Sequence, residues 1–583
     1  MDVEYGSRAA RSLYRLAMHL TLIAGSIIFS MPFVWMVSCS LKEDDEQMTE
    51  QLVWFPRLPQ YQSSSPYIDE REGVELVRPE EAAPDRWAAM RPQVVGALDQ
   101  RLQAVKLDFG TTPGDKALEL FRAALWRDLV RLIPSSKFAD ERTLREAIAA
   151  QAGEGRVTES YLRLYRSVAL GEVSLRAEGR SEERIPARKD RKPNGELLWQ
   201  LGAASPPLTL PSPQGGRGWG EGRLRQNNYG EKPEEELQYG LKATGDRAGV
   251  YATVPFTGKE PPKAISIGVK PDASWNRVWF AIQFGGRRYE AVEPWLMSGK
   301  RFGEIYYQLP SPDDDDDLRV RHWIITKEVL WTQTEPQPPG TVKLELAIEN
   351  TSRLTKAYDK FSYNYKNSLR YIPFWRYFLT SMFLVVINVF LAMFSSSLIA
   401  YSFARLRWPG RELCWAILLG TVMIPGQVTM IPNFLIMKWL GWYNTLRPMW
   451  VGSAFGSVFF IFMLRQFMKN IPKDLEDAAK IDGCSYWQIY WHVILPLVKP
   501  TLAAIGIFTF MGVWNDFMGP LMYLSDQRYY PLSLGLFAFQ TLAGGNQGMM
   551  MAASLMMTLP VIALFFVAQK QFIQGVTFTG IKG

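Results

Sequence analysis

Six long apolar runs constrain this chain more than any other feature. The first covers 17–37 with His19 as its only ionisable residue; the others cover 374–402, 414–437, 449–467, 500–524 and 551–569, each bounded by charge, Pro or Gly. At about 1.5 Å per residue, runs of roughly 20 residues reach across a hydrocarbon core of about 30 Å. A bilayer offers no water to unpaired backbone groups, so such runs are expected to be helical. The fold class that follows is an α-helical integral membrane protein with six transmembrane helices, and the lipid bilayer is its first partner. The first run is long for the apolar part of a signal peptide, and Ser38-Cys39-Ser40 is a poor cleavage site, so it is read as a retained span.

Charge in the short loops sets the orientation. Arg8, Arg11 and Arg15 precede the first span, Arg405, Arg407 and Arg411 follow the second, and Arg465, Lys469, Lys473, Lys480 and Lys499 lie between the fourth and fifth. All three sets fall on one side, while the opposite short loops carry only Lys438, Arg447 and Arg528. Both termini are therefore expected in the cytoplasm of a multi-pass inner (plasma) membrane protein, with the long segment after the first span exported. Residues 366–583 hold 16 Lys+Arg against 7 Asp+Glu, whereas 43–365 hold 45 against 49. The basic excess thus flanks apolar runs instead of forming a stripe on a soluble domain, which argues against a nucleic-acid partner. Three Cys and three His, scattered singly, exclude a disulfide framework and a His-based metal site.

The chain is expected to divide into a cytoplasmic segment with the first span (1–53), a mostly helical exported region (54–204), a Pro/Gly-rich linker (205–238), an exported β-sandwich (239–360) and a five-helix core (361–583). Within the helical region, Leu118, Phe121, Leu125, Leu129 and Leu132 follow a helical stripe over 117–133, and weaker patterns occupy 97–107, 140–151 and 158–170. In the strand region, Val278, Phe280, Ile282 and Phe284 alternate, as do Val342, Leu344, Leu346 and Ile348 around Lys343 and Glu345. Trp275, Trp279, Trp295, Trp323 and Trp331 form either a sugar-stacking platform or, with the greater weight, part of a core. Asp313–Asp317 lacks the ligand spacing of a calcium loop and reads as a solvated turn.

Two spans carry polar or helix-breaking residues. The third contains Pro425, Gly426, Gln427, Pro432 and Asn433, and the fifth contains Trp514, Asn515 and Asp516. Proline removes a helix hydrogen bond and an intramembrane carboxylate is costly, so Gln427, Asn433, Trp514, Asn515 and Asp516 are weak candidates for a substrate pathway, with a structural role of equal weight.

Between the fourth and fifth spans lies IPKDLEDAAKIDGCSYWQIYWHVILPLVKP, residues 471–500. Gly483 permits a sharp turn between two short helices, giving a compact knob close to the bilayer. Ala478 and Ala479 leave a small surface that fits a partner's groove, and Asp474, Glu476 and Asp477 favour the first helix's dipole. This loop resembles the cytoplasmic signature of the permease subunits of ABC importers: E-A-A, three residues, G, nine residues, I, one residue, L-P. Asp477, Ala478 and Ala479 take the first three places, Gly483 the fourth, Val493 that of Ile, and Leu495-Pro496 the last. Asp477 replaces Glu, with Glu476 adjoining, and Val493 replaces Ile.

Other segments are similar to the carbohydrate-type branch that includes the smaller maltose-system permease: FSMPFVWMVSCSLKEDDEQ, SLIAYSFARLRWPGRE, TVMIPGQVTMIPNFLIMKWLGWYNT, WNDF and QGVTFTGIKG. The likeness covers roughly 1–60 and 361–583; the insert of about 300 residues after the first span departs from the family's short loop. The resemblance implies an ABC importer permease fold carrying an inserted α+β region. It also implies that the loop docks on an ATPase through Glu476, Asp477, Ala478, Ala479, Asp482, Gly483, Leu495 and Pro496, with the tail ending at Gly583 entering the same interface. The implied partners are ABC ATPase subunits, a second permease and an extracytoplasmic solute-binding protein, with a sugar or oligosaccharide as solute. No G-x-x-x-x-G-K followed by Ser or Thr occurs, so ATP is expected on a partner subunit, with no cofactor or metal and no catalytic residue in this chain. Two alternatives stay open: a membrane-anchored glycan-processing enzyme, and a ligand sensor.

Overall fold

The computed structural model describes residues 8–47, 53–70, 73–79, 82–105, 115–134, 137–138, 141–176, 183–185, 199–201, 221–227, 234–299, 303–309, 323–329, 338–541 and 547–577. The chain divides into two compact units, one gathering Met1–Pro56 and Ser362–Gly583, the other Arg57–Asp314 and His322–Phe361.

The second unit is the insert. Helices Pro84–Ala104, Asp115–Val130, Glu141–Gln151 and Glu154–Leu164 bury Phe121, Leu125 and Leu129 of the expected stripe. Leu132 lies past the helix end and is exposed. The pattern over 158–170 is helix only to Leu164; from Tyr165 the chain is extended, and Val168, Leu170, Val173 and Leu175 enter a core. Strands Glu221–Asn227 and Glu234–Gly240 occupy the end of the segment expected to be linker, where the Pro and Gly cluster gives way to residues able to pair. The rest of that linker lies outside the described residues, as do Trp331 and Asp313–Asp317.

Fourteen strands form one hydrogen-bonded sheet, eleven of them in a continuous order and three branching from it, while Tyr67–Ile68 and Tyr165–Arg166 pair separately. The sheet's two arms meet in a short parallel pair, Tyr307 opposite Ile324, and both contribute to one apolar cluster. Arg277–Phe284 pairs antiparallel with Thr341–Glu349, setting Phe280 opposite Leu346 and Ile282 opposite Leu344, as the alternation requires. The other face of these strands is not simply solvated. Arg288 donates to Glu290 at 2.7 Å and to Glu345 at 2.6 Å, and all three are buried. Trp275 is buried, and Trp279 is buried with its indole N–H donating to Glu349 at 2.6 Å, so neither belongs to an open platform. Trp295 packs half-buried on the core, and Trp323 stacks on Tyr306.

Among the described residues, the first unit contains four single helices long and apolar enough to cross a membrane, Tyr14–Ser40, Phe374–Arg405, Pro448–Lys469 and Gln547–Gln569, and two bent helix pairs. The third expected run is one such pair: Arg411–Thr421 and Gly426–Trp439 meet at 100°. Pro425, extended at the break, lacks the N–H that would continue the first helix. The fifth expected run is shorter than the apolar pattern. Its helix, Lys499–Trp514, stops at Asn515, is bent by 76° from the segment Tyr486–Leu497 before it, and is followed by the short helix Met518–Tyr523. Phe374–Arg405 has 32 residues, about 48 Å at the usual rise, so it is longer than the hydrocarbon core is thick.

Candidate functional site

The loop 471–500 begins with the helix Asp474–Ile481. It ends in a Schellman turn: Cys484 N–H donates to Ala479 O at 2.9 Å and Gly483 N–H to Lys480 O at 3.0 Å. Gly483 has φ +84°, the left-handed region in which a Cβ is strained, and an added Cβ would meet no atom within 4 Å. Cys484 and Ala479 pack on the same apolar cluster beneath the turn. Ser485 then caps the next helix, Tyr486–Ile489, by a reciprocal box in which Gln488 Oε1 accepts from Ser485 N–H at 2.8 Å. A wide π-type turn over Tyr490–Ile494 precedes Leu495–Leu497, where Pro496 has no N–H to offer the carbonyl of His492.

The knob has two unlike faces. Inward, Glu476, Ala479, Ile489, Tyr490, Ile494 and Val498 are buried. The Tyr490 hydroxyl is 2.7 Å from Ser397 Oγ, and Tyr401 OH donates to Tyr486 O at 3.1 Å. Arg405 Nε lies 2.9 Å from Glu476 Oε1, with only 4% and 10% of the two side chains exposed. The two atoms approach without the alignment of a hydrogen bond, so the attraction is Coulombic. Removing one partner from such a buried pair costs about 3–5 kcal/mol.

Outward, Asp474, Asp477, Ala478, Asp482, Tyr486 and Trp487 are exposed, and Ile481 is 86% exposed. Asp477 pairs with Lys480 at 2.8 Å, and that hydrogen bond holds its carboxyl below the ordinary range. Between exposed side chains the pair adds little stability. Leu495 is half-buried on the cluster and Pro496 is exposed.

The adjacent carboxylates thus separate: Asp477, at the signature place, faces solvent, and Glu476 faces the spanning helix. Sequence reasoning missed the roles of Arg405 and Ser485. Arg405 entered only as one of the loop charges that set orientation. The S-x-x-Q spacing from Ser485 to Gln488 was a readable capping signal.

The pathway candidates differ in their surroundings. Gln427 and Asn433 are exposed on Gly426–Trp439, a helix that buries none of its residues in this chain. Trp514 is 1% exposed, donates to Met557 O at 3.1 Å and stacks on Phe510, which makes it a packing residue. The Asn515 amide donates back to Met511 O at 2.9 Å. Asp516 Oδ1 accepts from Gly519 N–H at 3.0 Å, fixing the break between two helices. Among the described residues no hydrogen bond joins Gln427 or Asn433 to Asn515 or Asp516, and no group of His, Cys, Asp and Glu is arranged to hold a metal.

Residues 374–576 match the family described as "Binding-protein-dependent transport system inner membrane component". The chain is 33% identical over 229 residues to the arabinooligosaccharides transport system permease protein AraQ of Halalkalibacterium halodurans, covering 39% of this chain and 81% of that protein. It is 33% identical over 202 residues to the lactose transport system permease protein LacG of Rhizobium radiobacter, covering 34% of this chain and 72% of that one. A bacterial ABC transporter involved in import of the acidic polysaccharide alginate aligns at 28% identity with a TM-score of 0.34, covering 36% of this chain and 79% of its own. With its bent spans, its long central helix and a loop that keeps the signature spacing, this chain belongs to the binding-protein-dependent inner membrane components, the permease subunits of ABC importers.

Proposed function

We propose that the chain is a permease subunit of an ATP-driven importer for a sugar or oligosaccharide, worked by a separate ATPase that docks on the loop 471–500. The observation that carries this reading is the two-faced knob: its inner face is bonded to Phe374–Arg405, and its outer face, around Asp477, Ala478, Ile481 and Asp482, is open. ATPase closure around ATP pushes on the outer face, and the inner face passes the displacement to the helix bundle, which exchanges outward for inward access. Each bent pair counts as one span, giving six, with both termini cytoplasmic and the insert extracytoplasmic. The insert's two arms, lining one core, form a β-sandwich.

The sugar assignment is supported by relatives named for arabinooligosaccharides, lactose and diacetylchitobiose. A second permease chain and an extracytoplasmic solute-binding protein complete the assembly, and ATP binds to the ATPase alone. Gln427 and Asn433, on a helix open to a partner, are the pathway residues retained; Trp514 and Asp516 serve the bundle's own structure. The test is ATP-dependent uptake of labelled lactose, arabinotriose and diacetylchitobiose into cells carrying the full system or lacking this chain. Uptake of at least one sugar that depends on the chain supports the reading. Uptake of none, beside a non-sugar solute that does depend on it, removes the sugar assignment.

A further inference from the structure

Ser397, Tyr401 and Arg405 stand four residues apart and so share one face of the helix Phe374–Arg405. Each bonds a different part of the loop: Ser397 meets the Tyr490 hydroxyl at 2.7 Å, Tyr401 donates to Tyr486 O at 3.1 Å, and Arg405 reaches Glu476 at 2.9 Å. Arg405 does more than pair. One of its terminal nitrogens donates to Met468 O and, at 2.7 Å, to Ile471 O, where the helix Val458–Lys469 ends. Met468 O also takes the Ile471 N–H at 3.1 Å, and a planar guanidinium with five N–H groups can reach it, Ile471 O and a carboxylate at once. A lysine serves them less well, since its three N–H donors all sit on one nitrogen and lack the spread between Nε and the terminal nitrogens. One buried side chain therefore joins the end of the second expected span, the end of the fourth, and the first helix of the knob.

We propose that Arg405 is a positioning residue for transport: it makes the knob and the helix Phe374–Arg405 move as one body, so that displacement at the ATPase interface reaches the membrane instead of being absorbed by a hinge in the loop. The proposal rests on the reading of the loop as the ATPase dock. Tyr401 and Ser397 extend the same tether along the helix, and Arg405 is its membrane-distal anchor. Nothing in it requires Arg405 to touch the ATPase or the solute.

The test uses the complete complex, purified with its own ATPase on a cysteine-free background and reconstituted in liposomes. Spin labels are placed at Lys473→Cys, an exposed position at the start of the knob's first helix and outside the named docking face, and at Trp375→Cys, an exposed position at the other end of the spanning helix. The distance between them is measured without nucleotide and with ADP and vanadate. With Arg405 in place, the distance distribution is expected to be the same in both states, because knob and helix travel together. In Arg405→Gln it is expected to shift and broaden on adding nucleotide, with the ATPase still bound. Tyr401→Phe, a milder change that removes one hydroxyl, moves the distribution in the same direction by less, and Arg405→Lys falls between.

A distribution in Arg405→Gln and Tyr401→Phe that matches the unmodified protein in both states overturns the proposal, as does one that already shifts with nucleotide in the unmodified protein. Ile481→Asp, on the outer face, separates the two readings. It should release the ATPase without altering the nucleotide-free distance. If the ATPase stays bound to it and to Ala478→Arg, the docking reading fails and the positioning role falls with it. If the ATPase is released while Arg405→Gln leaves the distances unchanged, only the positioning role is lost.

Discussion

Substitution of Gly483 offers a graded perturbation whose cause can be isolated. At φ +84°, with no atom within 4 Å of an added Cβ, a side chain here meets no neighbour in this chain, and its cost is that of the left-handed backbone alone. For an ordinary L-residue that cost is about 1–2 kcal/mol, while Asn visits the region more readily and a β-branched residue less. Such a cost lowers the ratio of molecules holding the Schellman turn to those that have lost it by a factor of about 5–30, which bounds the fall in apparent ATPase affinity. The expected order of affinity is therefore Gly, then Gly483→Asn, then Gly483→Ala, then Gly483→Val, with the Ala variant up to roughly tenfold weaker. Titrating the purified permease with its ATPase subunit in detergent measures this directly. The Asn and Ala variants decide the matter, because Asn is larger but better tolerated at positive φ. Affinities that fall in order of side-chain volume, with Ala above Asn, would refute the reasoning and show that contact space governs the site.

Ser485→Ala should remove the cap of the helix Tyr486–Ile489 at a cost of about 1 kcal/mol, seen as faster hydrogen exchange confined to that helix and its flanks. Trp514→Ala should lower the yield of folded protein by opening a cavity worth about 3–5 kcal/mol, while Gln427→Ala should leave yield intact and change uptake; the reverse pattern, scored by size-exclusion profile and uptake, would return Trp514 to the pathway. Burial lowers the Lys356 ammonium to about 8 from 10.5. Below pH 8 the folded insert therefore holds a charged lysine at a cost of about 3 kcal/mol, and the cost is relieved as pH rises from 8 to 10.5, because over that window the unfolded chain binds more protons. The melting temperature of Lys356→Met relative to the unmodified chain is thus expected to decline across that window, and a difference that stays constant would remove Lys356 as its source.

The apolar runs made the spans legible, since runs of that length have few other fates in a polar chain. Their bends were legible only in part. Pro425 marked the break of the third span, but nothing in IGIFTFMGVWNDFMGP announced that the helix would stop at Trp514, because Asn515 and Asp516 read equally as pathway residues and as the helix terminus they form. In the loop, spacing alone located the knob and its turn. Which of two adjacent carboxylates faces inward is a matter of about 100° around the helix, and it is decided by Arg405, about 70 residues away in sequence. Glu345 shows the same limit in the insert: its place among alternating apolar residues predicted a solvent-facing side chain, and only a strand distant in sequence brings Arg288 to it.

The claim on which the account turns is that the outer face of the knob is a cytoplasmic surface covered by the ATPase. A membrane-impermeant maleimide applied to Asp482→Cys, in a background without other reactive cysteines, measures both parts of it. The account predicts labelling in inside-out vesicles stripped of the ATPase, protection when the ATPase is added back, and no labelling in right-side-out vesicles. Labelling from the outer side of sealed right-side-out vesicles would contradict it.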